Sequence, residues 1–175
     1  KDKVFVGDGD GTLTGHTALK NGKKAMGFES GKRIVGTPAV SEGIVVFGSA
    51  DRHIYGLNAK DGNLLWTVRA AEPVLGAVTI ADGTAYIGAS DATFRATDIH
   101  TGKVIWTYTG VKGYIETKPL VTEDKVIFGA WDNTLYALNK TDGRELWNGR
   151  ADDRMHFSPA AVWPVAADVK YSLPT

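Results

Sequence analysis

A repeat of about 40 residues constrains the fold of this chain more than any other feature. Three segments align without gaps over most of their length: IVVFGSADRHIYGLNAKDGNLLW (44–66), AYIGASDATFRATDIHTGKVIW (85–106) and VIFGAWDNTLYALNKTDGRELW (126–147). Four markers recur in every copy at intervals of 40 and 41: Gly48, Gly88 and Gly129; Asp51, Asp91 and Asp132; Gly62, Gly102 and Gly143; Trp66, Trp106 and Trp147. This period predicts stacked units, each of which buries its apolar face against a neighbour.

Each unit has the pattern of four short strands. In the first clear copy, a Pro-containing segment (37–40) precedes strand-like runs at 44–47, 54–57 and 64–66. Turn residues separate the runs, and Lys60-Asp61-Gly62-Asn63 is typical of a hairpin because Gly tolerates positive φ. No segment keeps the 3.6-residue period of a helix. We therefore predict an all-β protein, a β-propeller built from four-stranded antiparallel blades.

The predicted blades divide one propeller segment (1–175) at regular positions. The approximate boundaries are 1–33, 34–73, 74–113 and 114–155, with the start of a further blade at 156–175. The first copy is weak: Gly7, Asp10 and Gly22 are in register, and Phe28 stands where Trp is expected. About four blades are thus present, and we expect them to be part of a larger ring.

The ends of the segment bear on how the ring closes. The run Val4-Phe5-Val6-Gly7 aligns with a second strand, so the first blade lacks an inner strand, while residues 157–162 predict a surplus one. Three arrangements remain open: a self-closed four-bladed ring, two copies forming a pseudo-eight-bladed ring, or a longer chain with more blades. We favour the longer chain, then the two-copy ring, and rank the self-closed ring last. Propellers commonly close by letting strands from both termini complete one blade, which removes exposed sheet edges.

At this point the chain resembles the pyrroloquinoline-quinone-like (quinoprotein) β-propeller repeat family. Residues 96–106, ATDIHTGKVIW, match its tryptophan-docking motif at every fixed position, and 56–66 and 137–147 keep the Gly and the Trp. In that family the Trp docks between neighbouring blades. The resemblance therefore implies structural docking roles for Trp66, Trp106 and Trp147.

The family includes quinone- and calcium-dependent dehydrogenases, outer-membrane assembly lipoproteins that bind protein, and repeat domains attached to hydrolases. A dehydrogenase would need a calcium cage of oxygen ligands, yet only Glu116 is predicted near the axis, and the chain has no cysteine for the family's vicinal disulfide. Asp8-Gly9-Asp10-Gly11 lacks the later ligands of a calcium loop and is better explained as a turn. We expect no catalytic, cofactor-binding or metal-binding residue.

One end of the predicted ring is the better candidate for binding a partner. There the second turn of each blade and the linker between blades emerge together, and we call this end the loop face. Its candidate residues are Arg52, His53, Tyr114, Glu116, Trp131, Asn133, Arg154 and His156. Trp131 is the most informative, because Ala50 and Ser90 occupy the equivalent positions and the blade does not require an aromatic there.

The leading hypothesis is a non-catalytic propeller module that binds a protein, peptide or glycan on the loop face, with no cofactor. The alternatives are a fragment of a quinone- and calcium-dependent dehydrogenase, or a structural domain attached to a hydrolase. Twenty basic and twenty acidic residues balance, which disfavours nucleic acid as a partner. No apolar run is long enough for a membrane helix. The resemblance implies an extracytoplasmic (periplasmic or secreted) bacterial location.

Overall fold

Strands form all the regular secondary structure that the computed structural model describes, which covers residues 3–17, 22–150, 164–167 and 170–172. No helix in these ranges is long and apolar enough to cross a membrane. The strands are short and their connections tight, as the repeat predicts.

The strands form separate antiparallel sheets in chain order, and the first four of these sheets are blades. Blade 1 contains β1 (Lys3–Gly7), β2 (Thr12–Thr17) and β3 (Lys24–Glu29). Blade 2 contains β4 (Ala39–Ser41), β5 (Ile44–Gly48), β6 (His53–Asn58) and β7 (Leu64–Arg69). Blade 3 contains β8 (Thr79–Ala81), β9 (Thr84–Gly88), β10 (Phe94–Asp98) and β11 (Val104–Tyr108). Blade 4 contains β12 (Leu120–Val121), β13 (Lys125–Ala130), β14 (Thr134–Asn139) and β15 (Glu145–Arg150).

A two-stranded hairpin follows the four blades. It pairs β16 (Val165–Ala167) with β17 (Lys170–Ser172). Ala167 pairs with Lys170 just as Ser41 pairs with Ile44, at the turn between the first two strands of blade 2. The surplus strand that we predicted at 157–162 lies outside the described residues. The all-β fold of four-stranded antiparallel blades is confirmed by blades 2, 3 and 4.

The core consists of apolar joints between successive blades. The joint between blades 2 and 3 buries Val46, Ile54 and Trp66 against Ile87 and Ile99. Equivalent clusters fill the joint between blades 1 and 2 and the joint between blades 3 and 4. Each of blades 2 and 3 therefore contributes one side of its sheet to the blade before it and the other side to the blade after it. We call these its leading face and its trailing face.

The outer strand of each blade carries a bulge at the docking position. The register shifts next to Gly56, Ala96 and Ala137, which pair with Trp66, Trp106 and Trp147 respectively. A Cβ atom on Gly56 would lie 2.1 Å from the Trp66 ring, so a small residue is needed opposite the indole. The repeat thus specifies both the large side chain and the space that it occupies.

In blade 1, the prediction that Phe28 takes the docking position is wrong. The structure places Met26 there, because Met26 pairs with Gly15 and packs against Gly62 of blade 2. Met26 is 5% exposed and its flexible thioether fills part of the volume that an indole would take. Phe28 lies two residues further along the strand, with its ring 5.2 Å from that of Tyr55.

Candidate partner-binding face

A repeated backbone hydrogen bond builds the loop face. In each case the amide that precedes the marker aspartate donates to a carbonyl in the linker that enters the blade. The three bonds join Ala50 to Arg33, Ser90 to Pro73 and Trp131 to Tyr114, each at 2.9 Å. Because only backbone atoms take part, the side chains at these six positions are free to differ without changing the framework.

The side chains of the marker aspartates form hydrogen bonds with the same linkers. Asp51 accepts a hydrogen bond from the amide of Gly31 at 2.8 Å, and Asp91 and Asp132 accept from the linker amides of Ala71 and Lys112. Each aspartate also accepts from the amide two residues later in its own turn. This conserved geometry within the chain gives the recurring aspartate a structural role.

Two of these aspartates have shifted pKa values. Burial would raise the pKa of Asp91, but hydrogen bonds and the positive charge of Arg95, whose Nη2 lies 2.6 Å from the carboxylate, lower it below its usual value. For Asp51, burial is likewise outweighed by the Tyr55 hydroxyl and two backbone amides, so its pKa is also lowered. Both carboxylates are therefore ionised in the folded protein at neutral pH.

Blade 4 places an aromatic pair on this framework. Trp131 and Tyr114 are 45% and 58% exposed, and the backbone bond between them fixes their spacing. The indole Nε1 of Trp131 donates to Glu116 Oε2 at 3.0 Å, which orients the ring without burying it. The structure therefore brings three predicted site residues, Tyr114, Glu116 and Trp131, into one group.

Backbone conformation or contacts within the same blade or its linker account for the other described residues that we predicted on the loop face. Asn133 has a φ of 61°, a left-handed conformation that Asn tolerates better than most residues. Arg52 stands at the equivalent turn position of blade 2 and pairs with Glu72 at 3.7 Å, both side chains being half exposed. The His53 ring lies 5.8 Å from that of Tyr55. Arg154 and His156 lie outside the described residues.

Beside the aromatic pair is a cavity of about 480 Å³ that sequence reasoning missed. Val35, Leu75 and Glu116 line it from the same repeat position of three successive blades, and Arg33 adds a cation. The repeat register could have revealed it, since these three residues are separated by the repeat interval in the sequence. The cavity thus combines an apolar floor with one charge of each sign.

The side chains that line the cavity do not provide the oxygen ligands that a quinone–calcium centre needs. Glu116 is the one carboxylate among the described residues lining the cavity, and it already accepts a hydrogen bond from Trp131. Within residues 3–17, 22–150 and the short segments after them, no group of three His, Asp or Glu could hold a metal ion. The Asp8 carboxylate accepts hydrogen bonds from the backbone amides of Asp10 and Thr12. Asp8 and Asp10 therefore belong to a turn. His100 pairs with Glu42 at the opposite end of the blades.

The docking tryptophans differ from one another in their surroundings. Trp66 Nε1 donates to the carbonyl of Ile99 at 2.6 Å, and Trp106 Nε1 donates to that of Lys140 at 3.1 Å. Both indoles are buried and pack against a glycine in the third turn of the next blade, Gly102 and Gly143 respectively. Trp147 is 36% exposed.

Comparisons with known proteins agree with this architecture. A family model described as outer membrane protein assembly factor BamB matches residues 4–116 and 76–171. The crystal structure of BamB from Moraxella catarrhalis superposes with a TM-score of 0.80 at 21% identity, covering 98% of this chain and 52% of that one. The computationally designed Ika8 protein superposes with a TM-score of 0.83 at 23% identity, covering 99% of this chain and 52% of that one. A search of curated proteins finds no match. The chain spans about half the length of these two structures.

Proposed function

The chain belongs to the family of the outer membrane protein assembly factor BamB, and from this membership and the geometry of its loop face we propose that it is a non-catalytic module that binds a protein or peptide segment there. The bacterial, extracytoplasmic location implied by the resemblance is part of this proposal. A glycan is the competing ligand, and the experiment below distinguishes it.

The aromatic pair of blade 4 carries the proposal. The backbone hydrogen bond between Trp131 and Tyr114 has equivalents between Ala50 and Arg33 and between Ser90 and Pro73. The fold therefore does not need aromatic side chains at these positions. Large, oriented and half-exposed aromatic rings are the residues that most often contribute the binding energy of protein interfaces. Among the blades with this described backbone hydrogen bond, blade 4 alone carries such a pair, which favours a partner that contacts that sector of the loop face.

The cavity next to the pair indicates which groups a partner would present. Val35 and Leu75 provide an apolar surface, and Arg33 and Glu116 can each bind a group of the opposite charge. An extended segment with one apolar side chain between polar ones fits this combination. Hydrogen bonding of Glu116 to the Trp131 indole couples the cavity to the aromatic pair.

Selection of a displayed random-peptide library on the immobilised protein tests the proposal. We expect the enriched peptides to lose at least about tenfold in affinity, roughly 1.4 kcal/mol, when Trp131→Ala or Tyr114→Ala replaces the wild type. Leu65→Ala is the matched control, because Leu65 is an equally exposed apolar residue on the outer strand of blade 2. Binding should be unchanged in that variant.

Two outcomes would overturn the proposal. One is a set of peptides that bind all three variants alike, which would place recognition elsewhere. The other is a glycan array in which sugars bind and lose affinity in Trp131→Ala while no peptide is enriched, which would assign the aromatic pair to a carbohydrate.

The non-catalytic part of the proposal has its own test. A ligand at 100 times its Kd stabilises a protein by about 2.7 kcal/mol, which a melting experiment detects. We expect no saturable rise in Tm with pyrroloquinoline quinone and calcium, and no dye-coupled oxidation of alcohols or sugars. A saturable shift or turnover would instead support the dehydrogenase alternative.

A further inference from the structure

A second cavity, of about 570 Å³, lies on the loop face next to the one described above. Lys32 and Arg33 line it from the linker that enters blade 2, and Asp10 lines it from the second turn of blade 1. We call it the basic cavity. Arg33 also lines the cavity beside the aromatic pair, so the two cavities adjoin at this side chain.

Backbone hydrogen bonds fix the linker that carries the two cations. The Lys32 carbonyl accepts from the Ser49 hydroxyl at 2.8 Å, and the Arg33 carbonyl accepts from the Ala50 amide at 2.9 Å. The next residue, Ile34, donates its amide to a carbonyl of blade 1. A site whose backbone is already ordered loses less conformational entropy when a ligand binds.

The fold does not need cations at these two positions. Glu72 and Pro73 occupy them in the linker into blade 3, and Tyr114 takes the place of Arg33 in the linker into blade 4. The side chains of Lys32 and Arg33 are exposed, and neither forms a hydrogen bond or an ion pair with any other described residue. Both charges are therefore available to a ligand.

The charges change along the surface that the two cavities form. At one end, Glu116 lines the cavity beside the aromatic pair and accepts the hydrogen bond of the Trp131 indole. At the other end, Asp10 is the one carboxylate among the described residues that line the basic cavity, and it faces two cations. Complementarity of charge therefore favours a carboxylate of the partner at the basic cavity.

We propose, on the basis of the function proposed above, that the bound segment carries an Asp or Glu side chain that contacts Lys32 and Arg33. An apolar side chain of the same segment occupies the neighbouring cavity, next to the aromatic pair. The Arg33 guanidinium can bind a carboxylate through two parallel hydrogen bonds, and the Lys32 ammonium adds a third donor. Because one segment spans both cavities, its acidic and apolar residues stand at a fixed spacing.

Selection of a displayed random-peptide library on the wild type, followed by affinity measurements on a double variant, tests the proposal. We expect the enriched peptides to contain Asp or Glu at a fixed spacing from an apolar residue. In Lys32→Ala/Arg33→Ala their affinity should fall about tenfold at low salt and less at high salt. Lys60→Ala/Lys103→Ala is the matched control, because it removes two exposed cations from the opposite end of the blades. Its affinity should equal that of the wild type.

A change in the peptide tests the same contact on the wild-type protein. Replacing the acidic residue of an enriched peptide by its amide should weaken binding as much as the double variant does. The amide peptide should lose nothing further in that variant, since the two changes remove one interaction. Circular dichroism should show the wild-type β-sheet spectrum for both double variants, because the substituted side chains are exposed.

Three outcomes would overturn the proposal. Equal losses in the two double variants would show a general attraction to positive charge. Peptides that depend on Trp131 and not on Lys32 and Arg33 would remove the acidic contact and leave the proposed function standing. Peptides that depend on the two cations and not on Trp131 or Tyr114 would show a separate anion site, and the function proposed for the aromatic pair would fail with the single spanning segment.

Discussion

At the scale of the residue, the contribution of each tryptophan to the free energy of unfolding depends on what its indole contacts. Trp106 is buried between blades 3 and 4, and its Nε1 donates to Lys140, whereas Trp131 is nearly half exposed. We expect Trp106→Ala to lower the free energy of unfolding by about 3–5 kcal/mol, because it empties a packed site. Trp131→Ala should cost less than about 1 kcal/mol.

Urea unfolding followed by circular dichroism measures both losses under the same conditions. Leu65→Ala again serves as a control for truncation of an exposed apolar residue. Equal losses at Trp106 and Trp131 would contradict the assignment of Trp131 to a binding surface, because they would show that the fold depends on it.

The marker aspartates predict a dependence of stability on pH. The pKa of Asp91 is lowered in the folded protein from the unfolded value of 3.8, so folding favours its ionised form. This contribution is fully present above the unfolded pKa and is lost as the pH falls through the lower folded value. We expect the free energy of unfolding to decrease below about pH 4, and the decrease to be shallower in Asp91→Asn. Acid titration of both proteins measures it, and identical slopes would contradict a role for this carboxylate.

At the scale of the structural element, the docking turn requires a glycine for two separable reasons. Gly102 has a φ of +72°, and a Cβ atom there would lie 2.8 Å from the Trp66 side chain. Gly83 has a φ of +69°, but its Cβ position is open. Alanine at either position incurs a left-handed backbone cost of about 1–2 kcal/mol. Only Gly102→Ala should add the cost of displacing the indole, about 1–3 kcal/mol.

The difference between the two glycine variants is therefore the measurement that matters. Equilibrium unfolding gives it directly, and the shared backbone term cancels. If Gly83→Ala were as destabilising as Gly102→Ala, the third turn would not be a docking surface for Trp66.

The repeat made the blades predictable element by element, because its spacing and its turns report local structure. Where the copy was degenerate, prediction failed: Met26 follows Gly22 at the interval that separates Trp66 from Gly62, but it has no aromatic ring to mark it as a docking residue, and its pairing with Gly15 identifies it. Spacing could place Trp131 on the loop face. It could not show that the indole bonds to Glu116, since that contact depends on side-chain torsions and not on register.

The cavity illustrates a second limit of sequence reasoning. Arg33, Val35 and Leu75 lie in linkers that the repeat register aligns, but the side chains at these positions differ from copy to copy, so the register alone does not indicate a cavity. They meet because the linkers converge as the blades pack side by side. Tertiary arrangement therefore determines this part of the site, while local propensity determines the turns around it.

At the scale of the whole molecule, stability should vary along the chain. Stacked units contact only their neighbours, so the stability of each blade depends on its own strands and its adjoining joints. Blade 3 has four strands and a tryptophan in both of its joints, Trp66 and Trp106. Blade 1 has three described strands, and Met26 takes the docking position in its joint with blade 2.

Native-state hydrogen exchange should therefore rank the blades. We expect the amides of β2 to exchange faster than those of β10, because opening blade 1 disrupts one joint while opening blade 3 disrupts two. Equal protection of β2 and β10 would mean that the blades unfold as one cooperative unit, and the joints would then not act independently.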